Sequence, residues 1–105
     1  MRNAKRKRLE SAGWRVGDAA EFLELSPDEA AFVEVKVVLA AHLRGLRGRH
    51  GWTQTDVAHR IGSSQSRVAR MEAADASVTL DLIVRSLLAL GLSAAEVGHV
   101  IARAA

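Results

Sequence analysis

The side chains best suited to recognition chemistry lie in one short segment, Ser64 to Arg70, which reads SQSRVAR. The amide of Gln65 can pair with adenine, and the guanidinium of Arg70 can pair with guanine, each through two hydrogen bonds. The hydroxyl of Ser66 reads bases less selectively or contacts phosphate. Ser66 and Arg70 are four residues apart, so a helix places both on one face. The segment therefore predicts a helical surface that recognises a nucleic acid.

Other kinds of chemistry find little support in the 105 residues. The chain has no cysteine, which excludes disulfides, thiolate zinc sites and cysteine nucleophiles. Its four histidines do not repeat a metal-ligand spacing, so we expect no metal site. The serines near residue 64 lack a histidine–carboxylate constellation, and no glycine-rich phosphate loop is present. We therefore predict no catalytic residues and no cofactor, hence a protein that is not an enzyme.

Two short helices must position this segment, one on each side of a glycine. Thr53 can cap a helix over residues 54–61, with Val57 and Ile61 facing inward. Gly62 suits the left-handed backbone of a sharp turn. Ser64 can then cap a second helix that runs from Gln65 to about Glu72 and buries Val68 and Met71. This pattern predicts a helix-turn-helix, in which the second helix enters the DNA major groove.

The remaining pattern is also helical, so we predict an all-α protein. A short helix is expected from Ala19 to Leu25, and Ser26-Pro27 begins a long helix that should reach about Arg47, with Gly48 and Gly51 bracketing its end. Two further helices are predicted over residues 80–90, ended by Gly91, and from the capping box Ser93–Glu96. The apolar residues predicted to face inward are Phe32, Val35, Leu39, Leu43 and Leu46 in the long helix, Leu80, Ile83, Val84, Leu87 and Leu88 in the next, and Val97, Val100 and Ile101 in the last.

Charge is distributed unevenly along the chain. Residues 2–8 carry five basic groups, residues 18–34 carry six acids and no base, and residues 44–70 carry six arginines against the single acid Asp56. The arginine-rich zone coincides with the predicted helix-turn-helix and favours an anionic partner, although a solvated arginine-rich surface explains it equally well. We expect a basic flexible arm over 1–17, a helical extension with the start of the long helix over 18–38, and a helix-turn-helix domain over 39–105. No segment is long and apolar enough to span a membrane, so we expect a cytoplasmic, nucleoid-associated protein without a membrane partner.

Residues 39–90 resemble the Cro/repressor (XRE) helix-turn-helix family, most clearly in LRGLRGRHGWTQTDVAHRIGSSQSRVARME. The resemblance implies a five-helix domain of this type, preceded here by a short helical extension. It also implies an internal ion pair between Arg47 and Glu72; the alternative is that both are surface charges. The residues that it implies for DNA binding are Gln54 and Arg67 at the backbone, Gln65, Ser66 and Arg70 at bases, and Ser64 at the start of the recognition helix. The chain departs from the family pattern at Trp52, Ser63 and Ala73, where leucine, a buried valine and glycine are common.

Three functions are compatible with this resemblance. One is a stand-alone repressor that binds a double-stranded DNA operator, and another is a helix-turn-helix used only for protein interaction. The remaining one is an autoregulatory antitoxin of a type II toxin–antitoxin pair, which is considered because residues 12–40 resemble the amino-terminal extension of HigA-type antitoxins. A cognate toxin would then be a further partner, and the acidity of residues 18–34 would suit a basic toxin. A homodimer is expected because family members bind paired half-sites, and the candidate interfaces are the helix over 30–41 and Leu92, Val97, Val100 and Ile101.

Overall fold

The computed structural model describes residues 25–104, and this part of the chain is all-helical, as predicted, with five helices and no strand. The predicted basic arm and residues 19–24 of the helix predicted over 19–25 lie outside the described residues. The helices are α1 (Pro27–His50), α2 (Gln54–Ile61), α3 (Gln65–Glu72), α4 (Leu80–Ala89) and α5 (Ala94–Ala102). No helix within residues 25–104 combines the length and the apolar character needed to cross a membrane.

The chain divides into two compact units, residues 1–35 and 36–105. In the described part of the first, Ser26 begins α1 through a reciprocal pair of hydrogen bonds. The Ser26 hydroxyl accepts from the backbone N–H of Glu29 at 3.3 Å, and the Glu29 carboxylate accepts from the N–H of Ser26 at 2.9 Å. Phe32, predicted to face inward, is instead 53% exposed, because the buried residues of α1 begin only at Leu39, seven residues further along the helix.

The second unit contains the core, to which every helix contributes. Its fully buried large side chains are Leu39, Leu43, Val57, Val68, Met71, Ile83 and Leu87. Leu88 was predicted to face inward and is 42% exposed, because it lies about 100° around α4 from the buried Leu87. The helix α1 also runs past Arg47 to His50, and Gly48 lies within it. The chain reverses only at Gly51, which has φ +69°.

Side-chain caps define the helix starts that the sequence predicted. Thr53 and Asp56 form a capping box at α2, and Ser93 and Glu96 form one at α5. The pKa of Asp56 is lowered chiefly by the backbone N–H of Thr53, and the pKa of Glu96 chiefly by the backbone N–H of Ser93. Both carboxylates are therefore stabilised in their ionised form by the folded state.

We expect these two boxes to make stability sensitive to acid. A carboxyl group whose pKa is lower in the folded state stabilises the fold above its unfolded pKa, near about 4, and loses this contribution as the pH falls through the folded value. Asp56→Asn and Glu96→Gln should therefore reduce the difference in unfolding free energy between neutral pH and about pH 3. Denaturant titrations at both pH values measure it, with the exposed Asp81→Asn as control. Equal acid sensitivity in all four proteins would contradict the assignment.

Candidate nucleic-acid interface

The turn between α2 and α3 is built from local hydrogen bonds. Gly62 adopts φ 68° and ψ 42°, and its N–H donates to the carbonyl of Ala58. The N–H of Ser63 donates to the same carbonyl at 2.8 Å, which closes the end of α2. The Ser64 hydroxyl then accepts from the N–H of Arg67 at 3.2 Å and begins α3. The predicted use of Gly62 and Ser64 is confirmed, and the two helices are held together by the buried side chains of Val57, Val68 and Met71.

The two serines of this turn should respond oppositely to alanine. The Ser63 hydroxyl is buried and meets no hydrogen-bond partner, whereas the Ser64 hydroxyl caps α3. Ser63→Ala removes an unpaired buried hydroxyl and should raise the free energy of unfolding by about 1 kcal/mol. Ser64→Ala removes a cap and should lower it by about 1 kcal/mol. Guanidinium titrations measure both changes, and a loss of stability in both variants would mean that the Ser63 hydroxyl has a partner.

The outward face of α3 is polar along its whole length. Gln65, Ser66, Arg67 and Arg70 are exposed, whereas Val68 and Met71 anchor the opposite face in the core. Ser66 and Arg70 lie one turn apart on the same line of the helix. The helix thus offers amide, hydroxyl and guanidinium groups to a partner without exposing its own apolar side.

Arg47 on α1 and Glu72 on α3 form a two-pronged ion pair. The guanidinium Nε and Nη2 donate to the two carboxylate oxygens at 2.5 and 3.0 Å, and Nη1 donates to the carbonyl of Trp52 at 3.2 Å. The carboxylate side chain is 5% exposed and the guanidinium side chain 22% exposed. The bond to Glu72 raises the pKa of Arg47. The pair therefore joins α1, the start of α2 and the end of α3 in a poorly hydrated place.

Two glutamines extend this ion pair to the surface. Gln54 donates its Nε2 to the Glu72 carboxylate at 3.1 Å, and Gln65 donates its Nε2 to Gln54 Oε1 at 2.7 Å. An ionised carboxylate only accepts hydrogen bonds, so Gln54 must turn its N–H₂ toward Glu72 and its carbonyl toward Gln65. Gln65 must then donate a hydrogen bond from its own N–H₂ to that carbonyl. The orientation of the outermost amide is therefore set by the buried carboxylate, and Gln65 keeps its carbonyl oxygen and one N–H for a partner.

A cleft of about 230 Å³ beside α3 was not anticipated from the sequence. It lies against the N-terminus of α4, where the Thr79 hydroxyl accepts from the N–H of Leu82 at 3.1 Å. The lining residues are Arg67, Arg70, Ser77, Val78, Thr79 and Leu82. The positive end of a helix beside two guanidinium groups favours an anion such as a phosphate. Threonine directly before an apolar helical pattern is a signal for a helix cap, but nothing in the sequence indicates that this cap faces α3.

Trp52 accounts for one departure from the family pattern. Its ring stacks on the imidazole of His50 with centroids 4.1 Å apart and planes at 9°, and the guanidinium of Arg60 lies 4.1 Å from the ring centroid. Leucine could not make these contacts, which join the end of α1 to α2. Trp52 is therefore a packing residue of the turn that precedes α2.

The predicted site residues thus fall into two groups. Gln54 is half-buried and already bonded within the chain, and Ser64 is occupied as a cap, with its oxygen 3.4 Å from that of Ser66. Gln65, Ser66, Arg67 and Arg70 are exposed on α3 and keep donor or acceptor groups for a partner. Across residues 25–104 no cluster of three His, Asp or Glu side chains has the arrangement of a metal site.

Comparison with known proteins agrees with this geometry. A family model described as a helix-turn-helix domain matches residues 38–100, which is more than half of the chain. No curated protein and no solved structure matches the sequence significantly. The matched residues contain α2, the turn at Gly62, α3 and α4, as well as the first seven residues of α5. On this match, the chain belongs to the helix-turn-helix domain family.

Proposed function

We propose that the protein is a sequence-specific DNA-binding repressor of transcription that inserts α3 into the major groove. The observation that carries the proposal is the relay from Arg47 through Glu72 and Gln54 to Gln65, which orients a base-reading amide at the start of an exposed helix. Holding a recognition side chain in one orientation lowers the entropy lost on binding. The resemblance of residues 39–90 to the XRE family supports the same function.

Each exposed residue has a chemical role in this proposal. Gln65, Ser66 and Arg70 meet base edges, where glutamine suits adenine and arginine suits guanine. Gln54 has one amide N–H left for a phosphate, and Arg67 meets phosphate at the rim of the helix. The cleft beside Thr79 lies next to Arg67 and provides a further place for the DNA backbone. No residue is assigned a catalytic role.

The proposed active form is a homodimer. One recognition helix contacts few base pairs, and dimers of such domains read half-sites about 34 Å apart. Leu88 is 42% exposed and Ile101 is half-buried, so the C-terminal helices have apolar surface left to cover. Sedimentation velocity at high micromolar concentration should show a dimer, and a strictly monomeric protein would argue against paired half-sites.

The experiment that tests DNA recognition uses the duplex upstream of the protein's own gene and a scrambled duplex of equal length. We expect the specific duplex to bind at least about 10³-fold more tightly at physiological salt. The variant Gln65→Ala/Ser66→Ala/Arg70→Ala should lose this ratio, whereas Arg85→Ala should keep it. Arg85 is a suitable control because it is an exposed arginine on α4 whose described ion pair is with Asp81 at 3.7 Å. Equal binding of both duplexes by the wild-type protein would reject sequence-specific repression and favour a protein-interaction module.

A specific observation favours the antitoxin as a more detailed form of this function. Residues 18–34 carry six acids and no base, and Phe32 within them is 53% exposed. An acidic segment that exposes an aromatic side chain suits a basic protein partner, such as a ribonuclease-like toxin. Affinity capture with the purified product of the neighbouring gene tests it, and Phe32→Ala should weaken capture without changing DNA affinity. If the neighbouring product does not bind the full chain, the stand-alone repressor is the remaining proposal.

A further inference from the structure

A second cleft, of about 450 Å³, shares no residue with the candidate nucleic-acid interface. It is flanked by the C-terminal half of α1 and by α5. The lining residues of α1 are spaced so that they share one face of that helix, and the same holds for the lining residues of α5. Each of these two faces forms a single stripe along its helix. The two stripes are His42, Leu46 and Arg49 on α1, and Glu96, His99, Val100 and Arg103 along α5 and its C-terminal cap, with Leu92 closing one end.

The floor of this cleft is apolar and well packed. Leu46 is 8% exposed and Val100 is 2% exposed, and Leu92 is half-buried. The volume lies within the range of about 300–1,000 Å³ that small-molecule sites occupy. Such sites combine an apolar lining with a few convergent polar groups, which the rim supplies here.

The rim carries an excess of positive charge. Arg49 and Arg103 are permanently charged, and neither forms an ion pair with a carboxylate of residues 25–104. The carboxylate of the lining, Glu96, is engaged by the N–H of Ser93 at 2.7 Å as a helix cap. Gly45 lies on the α1 stripe, and a Cβ built there would be 3.4 Å from Nη1 of Arg49, so this guanidinium lies against the helix at Gly45.

The pKa of His42 is also affected by the excess of positive charge at the rim of the cleft. Its pKa is lowered first by burial and then by the positive charges of Arg49 and Arg103, with Glu96 acting in the opposite direction. His99 also lines the cleft. An anion placed among these groups would be stabilised by two guanidinium groups and would favour a proton on His42.

We propose that this cleft binds a small organic anion in which a carboxylate or phosphate group is carried on an apolar chain. The anionic group lies between Arg49 and Arg103, and the apolar chain covers Leu46, Leu92 and Val100. This site goes beyond the proposed repressor function and does not depend on it, because none of its residues contacts DNA in that proposal.

Titration of the full chain with octanoate and with octyl phosphate, followed by methyl and imidazole NMR, tests the site. We expect saturable shifts of the methyl signals of Leu46, Leu92 and Val100 and an increase in the pKa of His42 for at least one of the two probes. Acetate lacks the apolar chain and 1-octanol lacks the charge, so each should bind at least about tenfold more weakly.

Three arginine variants separate a charge-specific site from adhesion to an apolar groove. Arg49→Gln and Arg103→Gln should each weaken binding of the better probe about tenfold. Arg44→Gln, an exposed arginine of α1 outside the cleft, should leave binding unchanged. Both test side chains are exposed, so amide spectra should remain those of the folded protein. The proposal is overturned if 1-octanol binds as tightly as octanoate, if all three variants weaken binding alike, if neither anion saturates, or if a second copy of the chain covers the cleft in solution.

Discussion

Replacing Glu72 with alanine is expected to lower the free energy of unfolding by about 3 kcal/mol. The substitution removes the acceptor for three described hydrogen bonds, two from Arg47 and one from Gln54. It also leaves a guanidinium in a place where water reaches it poorly. We expect the lower end of the range for broken buried pairs, because the Arg47 side chain is 22% exposed and can recover part of its hydration.

A double-mutant cycle isolates the pair from the packing around it. Guanidinium titrations of Glu72→Ala, Arg47→Ala and the double variant should give strongly non-additive losses, since either single change already breaks the ion pair. The matched control is the cycle at Asp81 and Arg85, which are 3.7 Å apart and about three-quarters exposed, where the coupling should be below about 1 kcal/mol. Small, additive losses at Arg47 and Glu72 would show that the pair is hydrated and contributes little.

Glu72→Gln adds a functional readout to the same ion pair. The side chain keeps its volume but gains donor groups, so it no longer obliges Gln54 to present N–H₂. Part of the population can then hold Gln54 and Gln65 with their amides reversed. We expect this variant to lose preference at the base pair that Gln65 is proposed to read, while the preference attributed to Arg70 is retained.

The helix-turn-helix was predictable because its signals are local. Thr53, Gly62 and Ser64 act on backbone groups within four residues of themselves, so their residue types and spacing carry nearly all of the structural information. The prediction of a capping box at Ser93 and Glu96 is confirmed for the same reason. A cap requires no knowledge of what packs against the helix.

The relay and both clefts depend on residues far apart in the chain and could not be predicted. Gln54 was expected to contact DNA, and the structure also uses it to connect Glu72 to Gln65, because three helices converge there. The exposure of Leu88 likewise depends on the rotation of α4 about its own axis relative to the neighbouring helices. An apolar pattern alone does not determine this rotation. The ion pair was anticipated through family resemblance rather than from the residues themselves.

Replacing each of the two arginines of α3 by alanine should change DNA binding in a different way. Both line the cleft beside α4, so their position on the helix must distinguish them. Arg70 shares its line with Ser66, so we expect it to reach the groove floor, whereas Arg67 lies about 100° around the helix from Ser66, so we expect it at the rim. Arg70→Ala should cost about 1–3 kcal/mol on the preferred duplex and relax the preference at one base pair in each half-site.

Arg67→Ala should instead weaken all duplexes alike and reduce the slope of log K against log salt by about 0.9 for each phosphate that the protein no longer neutralises. Titrations of both variants on specific and scrambled duplexes at several salt concentrations measure these two signatures, with Arg85→Ala again as the exposed control. If Arg70→Ala leaves the ratio of the affinities for the specific and the scrambled duplex unchanged, Arg70 does not contact bases. If neither variant changes DNA affinity, then α3 is not the DNA-contacting helix, because removing two positive charges from its exposed face must otherwise weaken binding to a polyanion.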